Sequence, residues 1–273
     1  MNEISCTIKQ LPDDLHAEAA HTAICCNPVN RPPSFVEPQH IAVMTTKYWG
    51  AGGVNLGVAF MEQISMSFAN KILSHMNAWG KRANVKFFLT GDNPQVRIGF
   101  ERGGYWSYLG TDILHIPKNK QTMNLEGFTE RTSDAEFTRV VRHETGHTLG
   151  FPHEHLRRDL VARLDPAKTI AYFGRTQGWT ADQVRAQVLT PIEEASLLNP
   201  TPVDAESIMC YQLPASITVD GRPIVGGADI DETDHQYAAR IYPKADQPAP
   251  PVTGNEIWVV TGQNIKIERK SLS

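Results

Sequence analysis

His143 and His147 stand four residues apart in the stretch VVRHETGHTLGFPHEH, residues 140–155, with Glu144 beside the first of them, Gly150 after the second, and His153 and Glu154 further on. Residues at i and i+4 share one face of a helix, so both imidazoles can reach a single metal ion, and the glutamate between them can stand next to a water on that ion. Gly150 falls where a helix would end in a left-handed turn, a conformation glycine adopts without steric cost. A chain reversing there can return His153 to the same ion. Three protein nitrogens with one position open to water is the arrangement of a catalytic zinc site, one Zn2+ per chain. At average composition the H-E-x-x-H core alone is expected in well under ~1% of chains of this length, and the added glycine and third histidine lower that further. Each histidine taken singly would be read as an ordinary residue on an amphipathic helix; the joint spacing carries the inference.

The element that must position these groups is a helix from Ser133 to Leu149. Ser133 followed by Glu136 predicts a capping box, and Phe137, Val140 and Val141 predict a core-facing side opposite the histidines. Upstream, Val54 to Phe60 reads as a buried strand, and Gln63 to Trp79 as a helix whose Phe68, Ile72, Met76 and Trp79 recur at helical spacing. Val85 to Leu89, Val96 to Phe100 and Asp112 to Ile116 are predicted strands. Downstream, Asp165 to Phe173 and Ala181 to Val188 read as short helices, the second with a Thr180–Gln183 capping box. A last helix runs from Asp231 to Tyr242, stopped by Pro243. The expected fold class is therefore α+β, a mixed sheet backed by helices.

Residues 1–40 form an N-terminal extension, residues 41–243 a catalytic domain with lobes 41–150 and 151–243, and residues 244–273 a Pro-rich linker followed by a hairpin from Glu256 to Lys270. The extension is expected to be a strap around the domain. The sharper alternative is an inhibitory segment that places Asp13, Asp14, Cys25 or Cys26 on the metal, since carboxylates and thiolates both bind zinc. The four cysteines, Cys6, Cys25, Cys26 and Cys210, do not make a disulfide framework, and most are expected to be thiols; pairing of Cys6 with Cys25 or Cys26 stays open.

A net charge of −4 makes no electrostatic case for nucleic acid, and no apolar run is long enough to cross a bilayer. The first residues lack the basic and apolar regions of a standard signal peptide. The expected partner is a protein or peptide bound as an extended strand along an unpaired sheet edge, sought between Val96 and Gly104. The chain is expected to act as a monomer.

The extended motif resembles that of the metzincin metalloproteases, with Glu154 after the third histidine as in their astacin branch. Ser207-Ile208-Met209-Cys210-Tyr211 resembles the family's Met-turn, with Cys210 where a histidine is usual. Looser likenesses, from Tyr48-Trp49 through Trp106–Gly110 and Arg157-Arg158-Asp159 to Asp229–Tyr242, extend over about residues 45 to 243. The resemblance implies a metzincin-like two-lobed α+β domain, with a twisted mixed five-stranded sheet and two long helices in the N-terminal lobe and a mostly irregular C-terminal lobe ending in a helix. It also implies a zinc-dependent endopeptidase using a zinc-activated water. His143, His147 and His153 would be ligands and Glu144 the general base. Met209 would be an apolar floor beneath the metal. Tyr211 would be a fifth ligand at rest that turns to stabilise an oxyanion. It also implies that Glu154 receives a free N-terminus, unless the uncut extension leaves it an internal donor, and it favours secretion or export. Against it stands a catalytically silent zinc-containing binding or toxin module of the same fold. The presence of Glu144 and all three histidines weighs for activity.

Overall fold

A computed structural model describes residues 6–32, 45–192 and 202–244, with the backbone of two further strands near the C-terminus. Six strands form one mixed sheet in the order β1-β5-β6-β4-β2-β3: β1 (Cys6–Lys9), β2 (Val54–Phe60), β3 (Val85–Leu89), β4 (Val96–Gly99), β5 (Tyr105–Tyr108) and β6 (Met123–Leu125). Within this sheet only the β5–β6 pair is antiparallel. Five strands belong to the predicted catalytic domain. The sixth, β1, comes from the extension and lies parallel to β5, with Cys6 opposite Tyr105 and Lys9 opposite Tyr108.

The sheet buries one apolar face, made by alternate residues of each strand, while Asn55 on β2 and Lys86 and Phe88 on β3 turn outward. Val54, Leu56 and Val58 on β2, Phe87 on β3, and Val96 and Ile98 on β4 are all in the core. Helix α2 (Met66–Met76) begins at Ser65, whose side chain accepts from the Phe68 amide, and it buries Phe68, Ile72 and Met76. It ends in a 3-10 turn, Asn77–Lys81, that buries Trp79. The predicted stripe is thus core, as its spacing requires.

The metal-bearing helix α3 covers residues 134–148, with a π-helical stretch at Phe137–Val141 between its two α-helical parts. Ser133 caps it by accepting from the Glu136 amide, but the reciprocal half of the expected capping box is missing. The Glu136 carboxylate instead accepts from Nε and Nη2 of Arg139 and from the Tyr105 hydroxyl. The predicted Thr180–Gln183 box is present. The Asp112–Ile116 segment is not a strand. It lies in a 3-10 turn, Gly110–His115, with Ile113 buried. Strands β5 and β6 take the places that the sequence reading left empty.

In the C-terminal lobe, α4 (Pro166–Gln177) is capped by Asp165, and α5 (Glu232–Ile241) is capped by Asp231. Phe173, Val184, Val188, Leu213 and Ile217 make this lobe's own core. β7 (Glu256–Thr261) and β8 (Lys266–Ser271) form the predicted antiparallel hairpin. The Pro-rich linker lies outside the described residues. Among the described residues no helix is long and apolar enough to cross a membrane.

The extension is built into the domain. Helix α1 (His16–Cys26) buries Ala19, Ala20 and Ala23. Beyond it Asn30 makes a cross-brace. Its amide nitrogen donates to the carbonyls of Ala23 (2.8 Å) and Tyr48 (2.7 Å), and its oxygen accepts from the Tyr48 amide (2.9 Å) and the Thr46 hydroxyl (2.8 Å). Asn27 donates to the Trp49 carbonyl at 2.6 Å. Both asparagines are buried, so these bonds satisfy backbone groups that water cannot reach. Residues 6–32 thus pack against the domain through β1, α1 and these two asparagines.

Candidate metal centre and active site

Helix α3 presents His143 and His147 on one face, as the i, i+4 spacing requires. It ends at Gly150, whose φ of 94° lies in the left-handed region. A Cβ there would also come within 3.0 Å of the Lys47 carbonyl and the Tyr48 ring, so conformation and packing both call for glycine. The turn brings His153 back until its Nε2 is 3.0 Å from that of His147.

The backbone fixes which nitrogens face the centre. His143 Nδ1 lies 2.6 Å from the Ile208 carbonyl and His147 Nδ1 2.8 Å from the Phe151 carbonyl. A carbonyl can only accept, so each Nδ1 carries the proton and each Nε2 turns a bare lone pair inward. Burial lowers the pKa of all three imidazoles, that of His143 to about 4, which keeps them in the neutral form that binds metals. Among the described residues, His143 Nε2 has no hydrogen-bond partner, nor has either oxygen of the fully buried Glu144. Burial pushes the Glu144 carboxyl up to about 8, with the nearby Cys6 thiol and Arg139 opposing weakly. Converging lone pairs and an unpartnered buried carboxyl are costly unless a cation sits among them, and an imidazole donor set suits zinc.

A fourth donor completes the cluster. Cys6, at the start of β1, places a thiol so that one ligand atom from each of Cys6, His143, His147 and His153 lies within 4.8 Å of the others. Tetrahedral zinc with nitrogen ligands at ~2.0–2.1 Å and sulfur at ~2.3 Å needs ligand separations of only about 3.3–3.7 Å, so modest closure suffices. The expected inhibitory donors are not these. Asp13 and Asp14 sit exposed in a 3-10 turn, and Cys25 and Cys26 are exposed on α1. All four cysteines are free, so the open pairing of Cys6 with Cys25 or Cys26 is absent.

Tyr211 lies against the centre, 4.5 Å from the His153 ring and stacked on His155 at 3.9 Å between centroids. The sequence resemblance made it a fifth ligand. In this structure its hydroxyl instead donates to the Cys6 carbonyl, because β1 fills the space in front of it. Met209 packs under α3, and a Cβ on Gly146 would meet its sulfur at 2.3 Å and the Trp79 ring at 3.1 Å. Gly146→Ala should therefore lower stability by about 1–3 kcal/mol, the usual cost of overpacking, read as a shift in urea midpoint at unchanged slope. An unchanged midpoint would show that the methionine relaxes freely. The turn carrying Met209 is pinned by Asp234, which accepts from the Ser207 hydroxyl (2.6 Å) and the Ile208 amide (3.0 Å).

Glu154 does have internal donors. One oxygen accepts from Arg157 (3.2 Å) and from the Asp204 amide (3.1 Å), and burial raises its pKa to about 7. The unpaired edge expected at Val96–Gly104 lies elsewhere, since β4 sits between β2 and β6. The catalytic-domain edge beside α3 is β5, joined to the helix through the Ser107 and Thr148 hydroxyls at 3.1 Å, and β1 occupies it. Cys6 and the backbone carbonyls that orient the histidines went unread in the sequence. The run Cys6-Thr7-Ile8 is a short β-branched stretch and was the available hint.

Comparison with known proteins agrees with this geometry. The family model for the astacin peptidases matches residues 43–221. Zinc metalloproteinase nas-27 of Caenorhabditis elegans is 37% identical over 93 residues, which are 33% of this chain and 19% of that protein, so the match spans about a fifth of that relative's length. Two solved structures of myroilysin are each 31% identical over 72% of this chain. One matches with a TM-score of 0.68 and 96% of its own chain covered, the other with 0.55 and 86%. With its three inward-facing imidazoles, buried glutamate and two-lobed sheet-and-helix frame, the chain belongs to the astacin family of zinc metalloendopeptidases.

Proposed function

We propose that this chain is a zinc endopeptidase in which His143, His147 and His153 hold the metal, Glu144 is the general base, and the strand bearing Cys6 keeps the site shut. The observation that carries the reading is the convergence of four donor atoms within 4.8 Å, three from the metal motif and one from the extension. Zinc held there supplies Lewis acidity, polarising a carbonyl and lowering the pKa of water from 15.7 toward ~7. Glu144 is fully buried beside the three imidazoles, where it can take a proton from the attacking water and return it to the leaving amine. Tyr211 now donates to the carbonyl of Cys6, and a substrate carbonyl brought to that place would receive the same hydrogen bond as charge develops on its oxygen. Met209 gives the centre an apolar floor against Gly146. An extended peptide adds to β5 as β1 does, through backbone hydrogen bonds.

Cys6 supports the shut reading in two ways. Its sulfur would hold the metal beside the three imidazoles, at the position that catalysis needs for water. Its strand covers the edge that a substrate needs. The test is metal-dependent cleavage of a random peptide library by the chain lacking residues 1–9. Cleavage that is lost with a zinc chelator and restored by about one equivalent of zinc is the expected result. Full cleavage in the chelated, metal-free protein would overturn the reading. One zinc per chain with no cleavage of any peptide would instead favour the silent binding module.

A further inference from the structure

Strand β1 shows how the C-terminal lobe grips whatever lies in the cleft. Its inner edge pairs with β5. Residues two apart in a strand turn their backbone groups to the same side, so Cys6 and Ile8 both face away from β5. Each meets a side chain from the other lobe. The Cys6 carbonyl accepts from Tyr211. The Ile8 amide donates to Gln187 Oε1 at 3.3 Å, and Gln187 Nε2 donates to the Ile8 carbonyl at 3.4 Å.

Gln187 is tied to the metal motif. It sits in a π-helical stretch, Arg185–Leu189, and its own carbonyl lies 2.9 Å from Nε2 of His155, the ring stacked on Tyr211. Tyr211 and Gln187 are thus held in a fixed relation by one buried imidazole. Together they stand in for a missing neighbour strand, with contacts spaced by two residues, or ~6.6 Å. A primary amide carries an N–H donor beside a carbonyl acceptor, so it can satisfy the N–H and C=O of one residue whichever way the bound strand runs. Neither contact reads a side chain.

We infer that Gln187 is a substrate-binding residue: its amide pairs with the backbone of an extended peptide two to three residues from the scissile bond, on the edge opposite β5. The inference rests on the endopeptidase reading. It makes the cleft two-sided, selecting an extended backbone and disfavouring proline at that position, which lacks the N–H.

The test uses the chain lacking residues 1–9 and two blocked-peptide series lengthened one residue at a time on either side of the scissile bond. In the unsubstituted chain, adding the residue that meets Gln187 should raise kcat/KM by about tenfold, as expected for a pair of backbone hydrogen bonds. Gln187→Met, which keeps length but has no amide, should abolish that step, so that kcat/KM no longer rises when the residue is added. Gln187→Glu, which keeps the acceptor alone, should restore part of it. In the full-length chain, Gln187→Met should also speed alkylation of Cys6 followed by site-resolved mass spectrometry, since β1 loses its outer clamp. Retention of the length step in Gln187→Met, or a uniform loss across all lengths, would overturn the inference. No cleavage by the unsubstituted truncated chain would instead count against the endopeptidase reading.

Discussion

Glu144→Gln, introduced into the chain lacking residues 1–9, should keep its zinc and lose at least about a hundredfold in kcat, within the 10²–10⁴ range typical of general acid–base groups. The substitution is nearly isosteric, and the carboxylate it replaces has no hydrogen-bond partner among the described residues, so little packing or bonding is disturbed. None of the three metal-facing nitrogens belongs to it. What changes is basicity alone: an amide cannot accept the proton that attack by water must release. Metal analysis beside peptide turnover separates the outcomes. Zinc retained with turnover near the original level would remove Glu144 from the mechanism. Zinc lost would mean that the carboxylate acts on the metal's retention rather than on the chemistry.

Cys6→Ala in the full-length chain should raise peptide cleavage by at least about tenfold, the equivalent of ~1.4 kcal/mol. The fourth donor disappears, while the backbone of β1 can still pair with β5 and with Gln187. Activity should therefore rise only part of the way, and removal of residues 1–9 should raise it further by clearing the edge and freeing Tyr211. Equal activity in Cys6→Ala and the unsubstituted chain, with activation only on truncation, would assign the block to strand pairing. No activation in either would remove β1 as an inhibitor. Burial pushes the metal-free Cys6 thiol well above its ordinary pKa, so a thiolate there depends on a cation.

The metal motif was legible because its requirements are local. Helical spacing puts His143 and His147 together, and the left-handed turn at Gly150 returns His153. Strands β2 and β3 were legible for a similar reason, since apolar residues recurring at every second position, as Val54, Leu56 and Val58 or Val85 and Phe87 do, can be read without knowledge of their neighbours. Strand order was not. Val96–Gly99 reads equally well as an edge or an interior strand, and only the tertiary arrangement puts Tyr105–Tyr108 at the rim. The short segment Asp112–Ile116 reads as a strand, yet its Ile113 and Ile116 stand three apart, a spacing that suits a 3-10 turn, and the turn Gly110–His115 is what forms. Cys6 reaches His143 across more than a hundred residues of chain, and no local pattern encodes such a pairing. Tyr211 was placed at the centre by resemblance, but its hydroxyl's partner depends on the strand that happens to cover it.

The asparagine brace between the extension and Tyr48-Trp49 has a consequence for any peptidase that cuts this chain. Severing the backbone after residue 32 would break a covalent link but none of the hydrogen bonds of Asn27 and Asn30, nor the burial of α1. The severed arm would become a separate ligand starting at very high local concentration, and its departure would be governed by mass action. Cleavage and activation would then be distinct events, the second sensitive to dilution and to competing substrate, so that a crowded compartment could hold cut but silent enzyme ready for release.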